Sequence, residues 1–555
     1  MLATIEELAG KSFDYIVVGG GTSGLTLAAR ISENPKLSVL VLESGGANID
    51  DPAIREQNCK TMGKVNSDYR FHPSLASHIP NRGKGLGGSS AINFMCWTKP
   101  PSQEIDDFER LGNPGWNWKR YNEALQRTEG FVPPPLEAQK RNNMNFDAWE
   151  IGREGPLTIA YPATINPVET KVQQTFINAG IPIASRPLSG DPKGVFLAPV
   201  TCNPVTHTRT YSTTAFYLPN KERPNLTVLL NANCERIVTE ELSDGGLKAT
   251  GVEFSHHGKK YFVQSAKEVV LSAGALKSPQ VLELSGIGNK EILERAHIPL
   301  KLDLPGVGKN VQEHIYAALS FELRDDVEYD TLDLLKDPKV AAKHLELHAS
   351  GSGIFTMGII GFAFASLQML SSKTEEIYER TKEAISKKMA SLPLGLQEQY
   401  KIQLERLRTA PGCEIISIPG GLSSPNPHED GKRYISIFSA ANHMFSRGTI
   451  HSTSNNPDID PEFDPHYFEE DVDLQMLVEM VKFIRNLTHV SPLKDLITKE
   501  LNPGPAVQSD DELRGEFNSR SWLYSVFFIF TYRMDNQDLQ FDMAHHWIVF
   551  HASGG

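Results

Sequence analysis

Short apolar runs separated by glycines open the chain, and their order predicts its first elements. Within "DYIVV", Tyr15 to Val18 read as a buried strand. "GGGTSG", Gly19 to Gly24, follows it, and then Leu25, Ala28, Ala29 and Ile31 recur at near-helical spacing, which predicts a helix from Gly21 to Ser32. A second run, "LSVLVLE", ends at Glu43. Much later, "RYISIFSAANHM", Arg433 to Met444, reads as strand. "GIFTMGIIGFAFASLQML", from Gly353, is apolar but interrupted by glycines, so buried strands are expected there and no membrane span. The charged stretch Ser371 to Arg408 pairs opposite charges at three- and four-residue spacing. It predicts a solvated helical excursion broken near Pro393.

Strand, glycine turn and helix together form a phosphate cradle. Gly19 permits the turn, Gly21 lets backbone approach a pyrophosphate, and Gly24 lets the helix pack against the strand, so free N–H groups point at the anion. Glu43, about twenty positions further on, suits the paired hydroxyls of a ribose. The pattern specifies a dinucleotide without distinguishing FAD from NAD.

Composition narrows the class. A chain of 555 residues exceeds one compact core and predicts two or more domains. With 40% hydrophobic and 22% charged residues it reads as globular, and a formal net charge of −13 argues against nucleic-acid partners. Cys59, Cys96, Cys202, Cys234 and Cys413 lack metal-ligand spacing, so reduced thiols and no metal site are expected. The first strand follows no basic and apolar leader, which predicts a cytoplasmic protein.

"GKGLGGSSAINFMCWTKP", Gly83 to Pro100, supplies a second glycine loop. Here the chain resembles the glucose–methanol–choline (GMC) family of flavin oxidoreductases, and "GALKSPQVLELSGIG", Gly274 to Gly288, resembles that family's second signature. "RTYSTTAFYLPNKERPNLTV" from Arg209, "LPGVGKNVQEH" from Leu304 and "SRGTIHSTSNNPDIDPEFDPHYF" from Ser446 extend the resemblance from about Phe13 to about Leu513. It implies an α/β fold, α+β overall: a Rossmann-like FAD-binding domain built from discontinuous segments, and a substrate domain with an antiparallel sheet and helices. The expected limits are 12–313 for the FAD domain, with substrate-domain insertions at about 160–220, then 314–470 for the substrate domain, including the excursion at 371–408. A C-terminal segment, 471–555, follows.

The resemblance also implies roles. Gly19, Gly21, Thr22, Ser23 and Gly24 would line the pyrophosphate, with Glu43 on the ribose and Ser44 beside it. Gly87, Gly88 and Ser89 would face the phosphates, Asn93, Phe94, Met95 and Cys96 would follow the flavin edge, and Cys234 would read adenine through its backbone. Ile92 stands where some relatives link flavin through histidine, so noncovalent FAD is expected. The implied reaction passes a hydride from a small organic alcohol to flavin N5 while a histidine base takes the hydroxyl proton. The electron acceptor, oxygen or another, is left open. After about Ser521 the family's histidine-containing ending is missing, with Phe527 and Phe528 near its place. His545, His546 and His551 lack the family's neighbours, so no catalytic residue is assigned. The expectation is a truncated or divergent terminus, with a changed reading frame favoured by the abruptness, and a catalytically impaired flavin-binding chain as the alternative.

Overall fold

The computed structural model describes residues 2–51, 54, 82–142, 144, 146 and 150–518 in full, and the backbone alone at 519, 523–531 and 548–551. β1 (Ser12–Val18) and β2 (Val39–Leu42) lie parallel, joined by α1 (Thr22–Ile31). Their remaining partners come from far along the chain: β3 (Leu226–Leu229), β4 (Ala232–Glu241), β5 (Leu247–His256) and β6 (Lys259–Leu271). The order β3-β2-β1-β6-β5-β4 is parallel from β3 to β6 and antiparallel beyond. All four residues of β2 are buried, as a parallel strand covered on both faces requires. Leu25, Ala28 and Ala29 of α1 pack on Val17, Val39 and Val41, while Val281 and Leu282 of the helix Gly274–Leu284 cover Ile16, Val18 and Leu40 on the other face.

A second, fully antiparallel sheet has the order β8-β9-β10-β7-β11, formed by β7 (Val311–Leu323), β8 (Gly361–Ala365), β9 (Cys413–Ile418), β10 (Tyr434–Ala441) and β11 (Ile497–Asn502). Alternation sorts its side chains onto two faces. Ile315, Ala317, Leu319, Ile415, Ile435 and Ile437 meet Val168, Val172 and Phe176 of the helix Pro167–Asn178. Tyr316, Ala318, Ile416, Ile418, Phe438 and Ala440 form a separate cluster on the opposite face. Near the end of the chain, the backbone of β12 (Leu523–Thr531) runs along β7 and that of β13 (Ile548–His551) along β6.

Two expectations change. The stretch from Gly353 to Leu370 holds one strand, β8, between a short 3-10 turn at Ile354–Thr356 and a helical turn at Leu367–Leu370. Gly353, at φ +87°, turns the chain before any strand can form. The charged excursion does break at Pro393 into α2 (Thr374–Lys388) and α3 (Leu394–Arg406). It is more than a solvated arm, because Ile377, Ile385 and Tyr400 join the core on one face of the second sheet. Among the described residues no helix is long and apolar enough to cross a membrane.

Ile385 is 0% exposed in that core, so Ile385→Ala should lower stability by about 2–4 kcal/mol. Urea denaturation followed by tryptophan fluorescence measures this, with Glu383→Ala, on the exposed side of the same helix, as control. Equal midpoints for the two variants would return α2 to the status of a solvated arm.

Candidate active site

The end of β2 fixes the first part of the site. Glu43 is 5% exposed; its Oε2 accepts from the Gly20 N–H at 2.8 Å, and its Oε1 from the Gly45 N–H at 2.8 Å and the Ser44 hydroxyl at 3.4 Å. Burial pushes this carboxyl above its usual range, and the donors from Gly45, Gly20, Ser44 and Gly85 oppose the shift. The carboxylate expected on a ribose therefore also ties down backbone from both glycine loops.

The loops are registered on each other directly. The Gly87 N–H donates to the Gly20 carbonyl at 2.8 Å, and the Leu86 N–H to the Gly46 carbonyl at 2.9 Å. A Cβ on Gly24 would sit 1.9 Å from the Gly19 carbonyl oxygen, and one on Gly88, at φ +53°, 2.8 Å from the Gly21 Cα. Neither position tolerates a side chain. The result is a cradle walled by backbone at Gly19, Gly21, Gly24, Gly87 and Gly88, with Thr22 exposed and Ser23 half-buried at the start of α1. Such a cradle fits the pyrophosphate of a dinucleotide. Ser89 turns inward, its Oγ accepting from the Gly83 N–H at 3.3 Å, while the Ser90 hydroxyl donates to the Gly87 carbonyl at 2.6 Å.

Beyond the second loop the chain is held in an unusual conformation. Met95 has φ +63°, rare for a residue with a side chain. Asn93 Oδ1 stabilises it by accepting from the Met95 N–H at 3.1 Å and from Arg209 Nη1 at 2.8 Å. Arg209 is 5% exposed and also donates to the carbonyls of Ile54 at 3.0 Å and Ser90 at 3.3 Å. Burial lowers its pKa to about 10, which leaves it a cation. Next to this turn, the half-buried Trp97 donates from Nε1 to Glu129 Oε1 at 2.9 Å, and buried Lys99 Nζ forms an ion pair with the same oxygen at 2.9 Å. Glu129 Oε2 also accepts from the Gly152 N–H at 3.0 Å. The loop Asn93–Trp97 is thereby clamped at both ends. Sequence reasoning assigned no role to Arg209, although Arg209 opens one of the matched motifs, and the distant Glu129 gave no local signal.

Phe94 and Cys96 pack against the cluster on the open face of the second sheet, and Cys96 Sγ lies 3.4 Å from the Ile359 carbonyl oxygen. Ile92 packs with Ile54, Ala91 and Tyr211. Cys234 lies in β4, whose first residue, Ala232, donates its N–H to the Glu43 carbonyl at 2.8 Å. Burial, and then Glu235, pushes the Cys234 thiol well up and leaves it inert. His545 and His546 lie outside the described residues, and of His551, Phe527 and Phe528 only the backbone is described, in β13 and β12. Among the described residues no cluster of ligands suits a metal ion.

Comparison with known proteins gives this arrangement its setting. The family description "GMC oxidoreductase" matches residues 13–316 with its N-terminal part and 445–548 with its C-terminal part. The GMC oxidoreductase family protein Mala s 12 of Malassezia sympodialis is 32% identical over 524 residues, spanning 91% of this chain and 81% of that protein. Dehydrogenase mpl7 of Monascus purpureus is 31% identical, spanning 90% of this chain and 85% of its own. The solved structure of an FAD-dependent oxidoreductase from Chaetomium thermophilum superposes with a TM-score of 0.81 at 25% identity, covering 93% of this chain and 88% of that one. The match to residue 548 corrects the expected truncated terminus. The family description continues through the stretch after 521, where β12 and β13 return to the two sheets.

Replacing Glu43 with Gln would set an amide N–H against the N–H of Gly20 or Gly45. Each lost hydrogen bond to this buried acceptor costs about 1–3 kcal/mol. Glu43→Gln should therefore weaken FAD retention at least tenfold, read by fluorescence titration of the apoprotein. Unchanged affinity would show that Glu43 does not organise the loops.

Proposed function

Because the chain belongs to the GMC oxidoreductase family, whose cofactor is FAD, we propose that it oxidises the CH–OH group of a small organic alcohol. FAD, when bound, would supply the two-electron acceptor for the hydride that leaves the carbinol carbon. The observation that carries the reading is the junction of the two sheets. The loop Asn93–Cys96, which leaves the second phosphate-facing glycine turn, packs its Phe94 and Cys96 onto the Tyr316 and Phe438 face of the second sheet. An apolar wall of this kind excludes water from a reacting carbon and orients a small substrate.

The chain's own residues divide the remaining work. Gly19, Gly21, Gly24, Gly87 and Gly88 present backbone to the pyrophosphate. Glu43 retains carboxylate lone pairs for ribose hydroxyls beside those given to Gly20 and Gly45. Asn93 and Arg209 hold the turn at Met95 in place, and the Arg209 cation favours negative charge developing nearby. Ile92 offers no covalent attachment, so the cofactor is held by these contacts alone.

Two measurements test the proposal. Acid or heat precipitation of the purified protein should release all of its FAD, and flavin retained by the pellet would contradict the noncovalent reading. Anaerobic addition of primary alcohols, aromatic and aliphatic, should bleach the visible flavin bands. A protein that binds FAD yet stays yellow with every alcohol would instead be a flavin-binding chain without this activity. Reoxidation of the bleached protein by air, or only by an added quinone, would then identify the acceptor class.

A further inference from the structure

Three strands of the second sheet place a hydrogen-bond acceptor and a donor on either side of one small residue. Ala440 in β10 lies opposite Tyr316 in β7 and, on its other side, opposite Glu414 in β9; Phe364 in β8 lies opposite Glu414. Residues opposite one another in a ladder share a face, so Tyr316, Ala440, Glu414 and Phe364 form one row. At a strand spacing of about 4.8 Å, the backbones of Tyr316 and Glu414 are roughly 10 Å apart, with only a methyl group between them. The next row, Ala318, Phe438, Ile416 and Phe362, is wholly apolar. This face is the one against which Phe94 and Cys96 of the flavin-edge loop pack, and the alternating residues Ile315, Ala441 and Ile415 face away into the other core.

Glu414 is out of character in that setting. It is 7% exposed, and among the described residues no Lys or Arg forms an ion pair with it. Burying a carboxyl without a cation is costly, and a strand that needed only packing would carry an apolar residue there. Burial pushes its pKa up to about 7, opposed by a hydrogen bond with Asn442. Asn442 is steadied in turn, its Oδ1 lying 3.2 Å from His314 Nδ1. Tyr316 is the complementary member. Burial first, then the nearby Glu414 and Cys96, hold its phenol well above the usual value, so it keeps its proton.

We propose that this row is the substrate-recognition surface of the flavin site. It selects aromatic alcohols whose ring carries a second hydrogen-bond donor, a hydroxyl or a protonated ring nitrogen, which Glu414 accepts while the ring lies between Tyr316 and Phe364. Glu414 is the specificity-determining group and Asn442 its positioning residue. The inference rests on the reading that the site oxidises alcohols.

The holoenzyme is assayed with 4-hydroxybenzyl alcohol, 4-pyridinemethanol and 4-methoxybenzyl alcohol, the last having no ring donor. Binding of 4-hydroxybenzaldehyde and 4-methoxybenzaldehyde is followed separately through perturbation of the flavin spectrum. The native chain should favour a donor-bearing ring over the methyl ether by about tenfold or more, both in kcat/KM and in aldehyde Kd, because a site built around a buried acceptor rejects an analogue that leaves it unpaired. The faster of the hydroxyl and pyridine substrates identifies which donor is read. Glu414→Leu should bring both ratios to within about twofold, and Asn442→Ala should move them in the same direction. If Glu414→Leu fails to retain FAD, Glu414→Gln takes its place, and a reduced aldehyde ratio is then the supporting result. Ratios that persist in a variant with full FAD content, or a native chain without preference in either measurement, would overturn the proposal. Should no alcohol bleach the flavin while the aldehyde preference still depends on Glu414, the oxidation reading falls and the recognition row stands.

Discussion

A buried carboxylate surrounded by backbone N–H groups is the interaction on which the rest of the site depends. Glu43 accepts from Gly20 in the first glycine loop and from Gly45 just beyond its own strand, and Gly85 of the second loop lies beside it. An unsatisfied buried donor or acceptor costs about 1–3 kcal/mol, so each of these groups pins the others. With the two loops fixed, the bond from Gly87 to Gly20 sets their register, and the chain that leaves the second loop is delivered to the turn at Asn93 and Met95. Arg209 and Glu129, from segments far away in sequence, then secure that turn. The second sheet meets a loop whose position has already been decided.

What could be read from the chain was local. β1, the glycine turn, α1 and β2 follow one another within Ser12–Leu42, so periodicity and glycine spacing were enough to place them and the carboxylate that ends them. The second loop was legible for the same reason. Partnerships were not: nothing in "LTVL" at Leu226 declares it the neighbour of β2, and nothing near Glu129 declares it the anchor of Trp97 and Lys99. In α2 the many charges hid Ile377 and Ile385, whose burial depends on the sheet beneath them. Glu414 was invisible for a related reason, because a polar residue in the strand "CEIISI" acquires meaning only when topology shows which of its two faces meets the loop Asn93–Trp97.

The second sheet behaves as a partition with unlike sides. One side is a deep aliphatic core shared with the helix Pro167–Asn178, with α2 and α3, and with the long helix Asp471–Leu487. The other is thin, aromatic and interrupted by Tyr316 and Glu414. Most of the sheet's buried aliphatic residues lie on the first side, while the second carries the aromatic residues that meet Phe94 and Cys96.

The interleaving of segments in the first sheet has a consequence for how the protein comes into being. β1 and β2 pair with each other, but β1 finds its second parallel partner only in β6, where Ser12 pairs with Gln264, and β2 its second only in β3. On the ribosome, the first two strands must therefore each keep one edge open while the helix Pro167–Asn178, which belongs to the core of the other sheet, is made between them and their later partners. Such long loop closures slow folding and expose apolar edges meanwhile. Val39 to Leu42, apolar throughout, then keeps one edge open until Leu226 to Leu229 arrives to cover it.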